Sequence, residues 1–305
     1  MDRRKFVSDV VLWSAGIAAA TPLFTIDQAA LAAESAASTV AVAQGKDYAG
    51  LVAKALEPLG GMGAFIKKGM KVVVKPNIGF DRNVAQGACT HPEVVKATVK
   101  LALDAGAASV LVFDNPTGDA RRCYDNSGIK AAVESIKDDR VVCAYADSRK
   151  FVPVDIKKGK SLKKYQFYKD ALEADAYINV PVAKTHGSAK LTLALKNIMG
   201  AIGGQRGQIH WSLGQRIADL NTVIRPRLNI LDATRVMVRN GPSGGDLADV
   251  KAMDTVAASA DPVALDAWAA RALFGMEPKD VDAIRLAAEL GLGQIDLAKV
   301  KVIKA

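Results

Sequence analysis

Between residues 39 and 303, short β-branched runs alternate with amphipathic stretches of helical length, and this alternation leaves few folds open. Strands are predicted at Thr39–Ala43, Lys71–Val74, Ser109–Phe113, Ala176–Val180, Leu228–Leu231, Thr255–Ser259 and Lys299–Ile303. Helices are predicted over Tyr48–Leu59, Pro92–Ala105, Leu213–Ile224 and Val281–Leu290, and from Asp261-Pro262 through to Leu273. Strands interleaved with helices in this way build a mostly parallel sheet flanked by helices, an α/β fold. Residues 115–170 carry more charge and weaker periodicity and read as an inserted irregular subdomain. The expected organisation is one α/β domain over 39–305, with a linker over 34–38.

Residues 1–33 have the layout of an export signal. Arg3-Arg4-Lys5-Phe6-Val7 precedes the apolar run Val10–Ala20, and small residues follow at Ala30–Ala33. The paired arginines before Phe6 resemble the twin-arginine export motif, although Asp2 and Ser8 depart from it. The apolar run is shorter than a membrane span, which needs about 20 residues. The expectation is a periplasmic or otherwise exported protein, a partner of the twin-arginine machinery, with no stable span in the mature chain.

The formal charge is +9, and the first 33 residues hold three basic and three acidic groups, so the excess belongs to residues 34–305. The run Lys157-Lys158-Gly-Lys160-Ser-Leu-Lys163-Lys164 lacks interleaved aromatics and reads as a solvated face, not a nucleic-acid surface. A small anionic molecule remains as the partner that a basic domain would take.

In parallel sheets ligands bind beyond the carboxyl ends of the strands. Here those ends read Lys75-Pro-Asn77, Asp114-Asn115-Pro, Lys184-Thr-His186 and Asp232-Ala-Thr, each rich in ionisable or amide groups. Ser188 reads as the N-cap of a helix carrying Leu191, Leu195 and Ile198, which would set Lys184 and His186 at a helix mouth suited to anions. Lys196 and Asn197, two to three turns on, need not face that volume. Pro92 fits the first helical position and places His91 or Thr90 at the N-cap, where the helix dipole favours the neutral form of a histidine. Gly241–Gly245 could offer backbone N–H groups to an anion through Gly244. Asp261 is a natural N-cap, and Asp266 one turn on could support that helix start or reach the cleft.

The candidate site is therefore His91, His186 and Lys184 as catalytic groups, with Lys75, Asn77, Lys196, Asn197 and Gly244 binding substrate. Asp114, Asp232 and Asp266 would orient them. His91 and His186, with Cys89 or Asp114, could serve a transition metal, but the spacing names none. Cys89, Cys123 and Cys143 are too scattered for an iron–sulfur cluster, and two of them could pair in an oxidising compartment. No Walker loop or dinucleotide fingerprint is present, and the serines lack a persuasive His/Asp pairing for a serine hydrolase.

The ordered set Val74-Lys-Pro-Asn77, Thr90-His-Pro-Glu-Val-Val95, Pro181-Val-Ala-Lys-Thr-His186, Leu195-Lys-Asn-Ile-Met-Gly200, Leu228-Asn-Ile-Leu-Asp232, Gly241-Pro-Ser-Gly244 and Ser259-Ala-Asp-Pro-Val-Ala-Leu-Asp266 resembles the prokaryotic family called domain of unknown function 362. The resemblance covers nearly the whole mature chain. It implies no established reaction. Some relatives carry Cys-rich iron–sulfur segments that this chain lacks, and some carry twin-arginine signals. Two functions stay open: an exported enzyme with a basic cleft for a small anion, assisted by a metal or redox cofactor or by neither, and a non-catalytic periplasmic binding or cofactor-handling protein.

Overall fold

A computed structural model describes residues 38–305; the signal expected over 1–33, and all of the linker except Ser38, lie outside them. The strands are β1 (Thr39–Gln44), β2 (Lys71–Pro76), β3 (Ser109–Val112), β4 (Val141–Cys143), β5 (Phe151–Asp155), β6 (Lys164–Tyr168), β7 (Ala176–Val180), β8 (Val182–His186), β9 (Lys190–Thr192), β10 (Leu228–Met237), β11 (Val250–Ser259) and β12 (Lys301–Lys304). The main sheet runs β12-β1-β11-β10-β7-β2-β3-β4, and β8 joins β10 and carries β9. Pairings from β4 through to β10 are parallel, as is β1 with β12, whereas β11 runs antiparallel to both β1 and β10. The fold is thus α/β with a mostly parallel mixed sheet.

Side-chain alternation along the strands splits the core into two layers. Val73, Tyr177, Leu231 and Ala257 face one layer, which includes residues of the helices Leu213–Asn221, Pro262–Phe274 and Asp282–Glu289. Val72, Val74, Ile178, Ile230 and Val256 face the other, with the helices Tyr48–Leu56, Pro92–Asp104, Ala120–Asn126 and Ile129–Glu134. Within 115–170, the hairpin β5–β6 forms a separate two-stranded sheet, while β4 is an edge strand of the main sheet. Cys123, Tyr124, Ile129 and Val133 from the same stretch are buried in the second layer. The lysines of residues 157–164 are exposed around the β5–β6 turn.

One expected element is corrected. No helix starts at Ser188: the chain turns back at Gly187–Ala189, passes Lys190 at φ 63°, and pairs as β9 against β8. The side chains of Leu191 and Thr192 are better served by this ladder, and the helix shrinks to Ala194–Asn197. Lys184 therefore stands within a strand, not at a helix mouth.

Candidate functional site

Lys75 ends β2 on the side that Val73 and the first layer occupy, an apolar environment hostile to an ammonium. It is fully buried and ion-pairs Asp114 at 2.8 Å. It also donates to the carbonyl of Pro76 at 2.7 Å and to Asn197 Oδ1 at 3.3 Å. Burial pushes its pKa down, with Asp114 pulling the other way. The two oxygens of Asp114 also accept N–H groups from Ile78 (2.6 Å) and Asn115 (2.9 Å). Gly200 lies against this pair so tightly that a Cβ there would fall 1.7 Å from Asp114 Oδ1 and 2.5 Å from Lys75 Cε.

Lys184 is also fully buried. Its ammonium donates to the carbonyl of Ala88 and to Asn77 Oδ1 (3.4 Å), and the Phe80 ring centroid is 4.5 Å away. Burial lowers its pKa to about 7. Lys196, partly buried, has the thioether of Met199 at 3.5 Å as its one hydrogen-bonding contact among the described residues, and burial followed by Arg206 lowers its pKa to about 8. Neither lysine is ion-paired to a carboxylate among the described residues. Each feels the electrostatic field of other cations: Lys184 that of Lys196, and Lys196 that of Arg206. Thr192, directly opposite Lys184 in the β8–β9 ladder, is buried with no partner for its hydroxyl among the described residues.

His186 is nearly covered, and its Nδ1 accepts the N–H groups of Ser188 (3.2 Å) and Ala189 (3.1 Å). An Nδ1 that accepts leaves the proton on Nε2 as a donor. Burial, then Lys196, lowers its pKa to about 3, so the ring is neutral. The ring of His210 stacks beside it at 6.2 Å. Lys196, which the sequence left free to face another way, thus joins Lys184 and His186.

Three aspartates and a histidine take other places. Asp266 accepts the N–H groups of Ala194 (2.8 Å) and Leu195 (2.9 Å), occupying the helix start that an anion would have used. Burial raises its pKa to about 7. Asp261 caps its helix at Ala264 N, 2.8 Å, as expected. Asp232 shares the parity of Ile230 and faces the second layer, where it accepts from His91 N (2.6 Å), Thr234 N (2.9 Å) and Thr234 Oγ1 (2.7 Å). It therefore orients the backbone of His91 and not its ring. His91 is the N-cap of Pro92–Asp104, accepting from Glu93 N at 3.2 Å, and its ring meets Tyr48 edge-on at 4.9 Å. Burial, then Arg235, lowers its pKa to about 4. His91 and Asp232 form a group apart from the lysines.

Gly244 turns its N–H to Asn240 O and its carbonyl to Arg82 Nη2 (3.2 Å), while Ser243 O accepts from Arg82 Nε (3.0 Å) and Gly245 O from Gln86 (3.0 Å). The loop presents carbonyls to Arg82 and Gln86 instead of N–H groups to an anion. A cleft of about 410 Å³ beside Arg82, and one of about 510 Å³ by Met62 and Leu101, lie on surfaces that Lys75, Lys184 and Lys196 do not line. All three cysteines are free. Among the described residues no group of three or more His, Cys, Asp or Glu could hold a metal ion, and no helix is long and apolar enough to cross a membrane.

Sequence reasoning missed Asn179 and Asn229. Asn179 links Asn197 Nδ2 (2.8 Å) to Asn229 Oδ1 (2.9 Å), and Asn179 and Asn229 are buried within β7 and β10. The available signal was an amide set among branched apolar residues, Ile178-Asn179-Val180 and Leu228-Asn229-Ile230.

The family model for a domain of unknown function, DUF362, matches residues 72–271. The thylakoid-associated protein sll1697 of Synechocystis sp. is 29% identical over 245 residues, spanning 78% of this chain and 73% of that one. Among solved structures, a Thermotoga maritima protein superposes with a TM-score of 0.44 at 13% identity, over 81% of this chain and 60% of that one. The lactate racemase apoprotein of Thermoanaerobacterium thermosaccharolyticum gives 0.40 at 15%, over 72% and 54%. The chain spans less than two thirds of either solved structure, and likeness at this level carries no argument about chemistry.

Proposed function

The chain belongs to the DUF362 family, and from that premise we propose that it is an exported enzyme that holds a small carboxylate- or phosphate-bearing molecule against Lys184 and Lys196. The observation that carries this reading is Lys196: an ammonium whose one hydrogen-bonding contact among the described residues is a thioether, with Lys184 and Arg206 as charged neighbours. A buried cation without an oxygen partner is costly, and a bound anion supplies that partner. His186 Nε2–H and the free hydroxyl of Thr192 would complete the donors. Lys184, half-charged near neutral pH, would take up a proton as the anion binds and could give it to the bound molecule as a general acid.

Calorimetry with oxalate, phosphate and an uncharged diol at pH 8 tests the reading. The anions should bind with proton uptake, because each raises the lysine pKa values, and Lys196→Met should abolish the heat. Equal binding by that variant, or none by the wild type, would overturn it. A second reading, capture without turnover, is favoured by the cover that Phe80 and Ala88 place over Lys184. Conversion of a bound ligand into product excludes capture alone. Export rests on Arg3-Arg4: changing both to Lys should retain the protein in the cytoplasm, and unchanged export would refute that route.

A further inference from the structure

Lys75, Asn179, Asn229 and Ser259 are Cα partners of one another in register across β2, β7, β10 and β11. By strand alternation all four face the first layer, so a polar row crosses an otherwise apolar face. The row has a direction. Asn229 Nδ2 donates to the carbonyl of Ser259 (3.3 Å), which can only accept. Asn229 must therefore turn its Oδ1 to Asn179, whose Nδ2 donates to it and to Ala194 O (3.0 Å). Asn179 in turn offers Oδ1 to Asn197, whose Nδ2 also donates to Lys75 O (3.1 Å). Asn197 is left with Oδ1 facing Lys75 Nζ and Asn77 Nδ2 (3.2 Å), and Asn77 with Oδ1 facing Lys184.

We propose that Asn179 and Asn229 are positioning residues: together with the backbone carbonyls of Ser259, Ala194 and Lys75, they fix the orientation of the amides of Asn197 and Asn77, so that oxygen atoms meet the ammonium groups of Lys75 and Lys184. Were Asn197 reversed, an NH₂ would face the ammonium of Lys75, and Asn77, turning with it to keep their mutual hydrogen bond, would set another against Lys184. This inference rests on the anion-site reading for its ligand, but the lysine geometry it explains does not depend on that ligand.

The test is the double variant Asn179→Leu/Asn229→Leu, which removes both upstream amides together and leaves neither unpaired. Lysine labelled with ¹³C at Cε would be followed by NMR between pH 5 and 10, and phosphate affinity measured by calorimetry. The row predicts altered titration of Lys75 and Lys184 and about tenfold weaker phosphate binding in a folded variant. A folded variant with wild-type titration and affinity overturns it. Should the double variant fail to fold, Asn229→Leu alone decides: it must shift the same two lysine resonances, and unchanged titration overturns the proposal. If wild-type protein binds no phosphate, the anion site falls while the titration still judges the row.

Discussion

Replacing Lys184 with Met should make the protein more stable while removing its ligand affinity. An exposed lysine keeps its proton to pH 10.5, whereas Lys184, fully buried, loses it at about 7. Between those values the unfolded chain holds a proton that the folded chain has shed, so stability climbs with pH, and the cost is complete below pH 7. At about 1.4 kcal/mol per pH unit, that cost is roughly 5 kcal/mol. Met leaves Ala88 O and Asn77 Oδ1 without the lysine donor, which costs about 1 kcal/mol each. The net gain at pH 6 is about 3 kcal/mol, shrinking toward zero and then reversing as pH approaches 10.5. Urea unfolding followed by tryptophan fluorescence at pH 6 to 9 measures the difference. A variant no more stable than wild type at pH 6, or a difference that is flat from pH 6 to 9, would refute the claim that burial discharges Lys184.

Asp266 works in the opposite sense. Its pKa is 3.8 when exposed and about 7 in the fold, so stability falls as pH rises from 4 to 7, and Asp266→Asn should flatten that slope in the same unfolding assay. Asp114→Asn strands Lys75 without its carboxylate and should cost about 3–5 kcal/mol in urea unfolding, because a lone buried charge is left. Gly200→Ala should cost about 3 kcal/mol by the same measurement, since its methyl falls on Asp114 Oδ1, and a crystal structure should show the Lys75–Asp114 pair displaced.

Much of the fold was legible because each strand carries its own signal. Val72–Val74, Ser109–Val112 and Ala176–Val180 are apolar runs bounded by turn residues, and the caps at His91 and Asp261 mark their helices without help from the rest of the chain. The hairpin after Val180 was not legible: its apolar residues fit a helix as well as β8 and β9, and the choice is made by Asp266, which holds the short helix from a position 71 and 72 residues away. The site divided for a similar reason. A period of two puts Asp232 and Lys75 on opposite faces, and only register reveals which residues are neighbours. Lys196 joined the cluster because the helix it was expected to continue is four residues long.

The polar row across β2, β7, β10 and β11 also bears on how the sheet assembles. Strands such as Val72-Val-Val74 and Ala176-Tyr-Ile178 could slide past one another by two residues and still bury branched side chains against branched side chains. A parallel sheet built from them alone would have several alignments of similar energy. Any such slip would set Asn179 or Asn229 against an apolar neighbour and leave a buried amide without its partner. The amides thus act as teeth of a key: among the misaligned sheets a collapsing chain could sample, they penalise all but the one that brings Lys75 level with Asn179, Asn229 and Ser259.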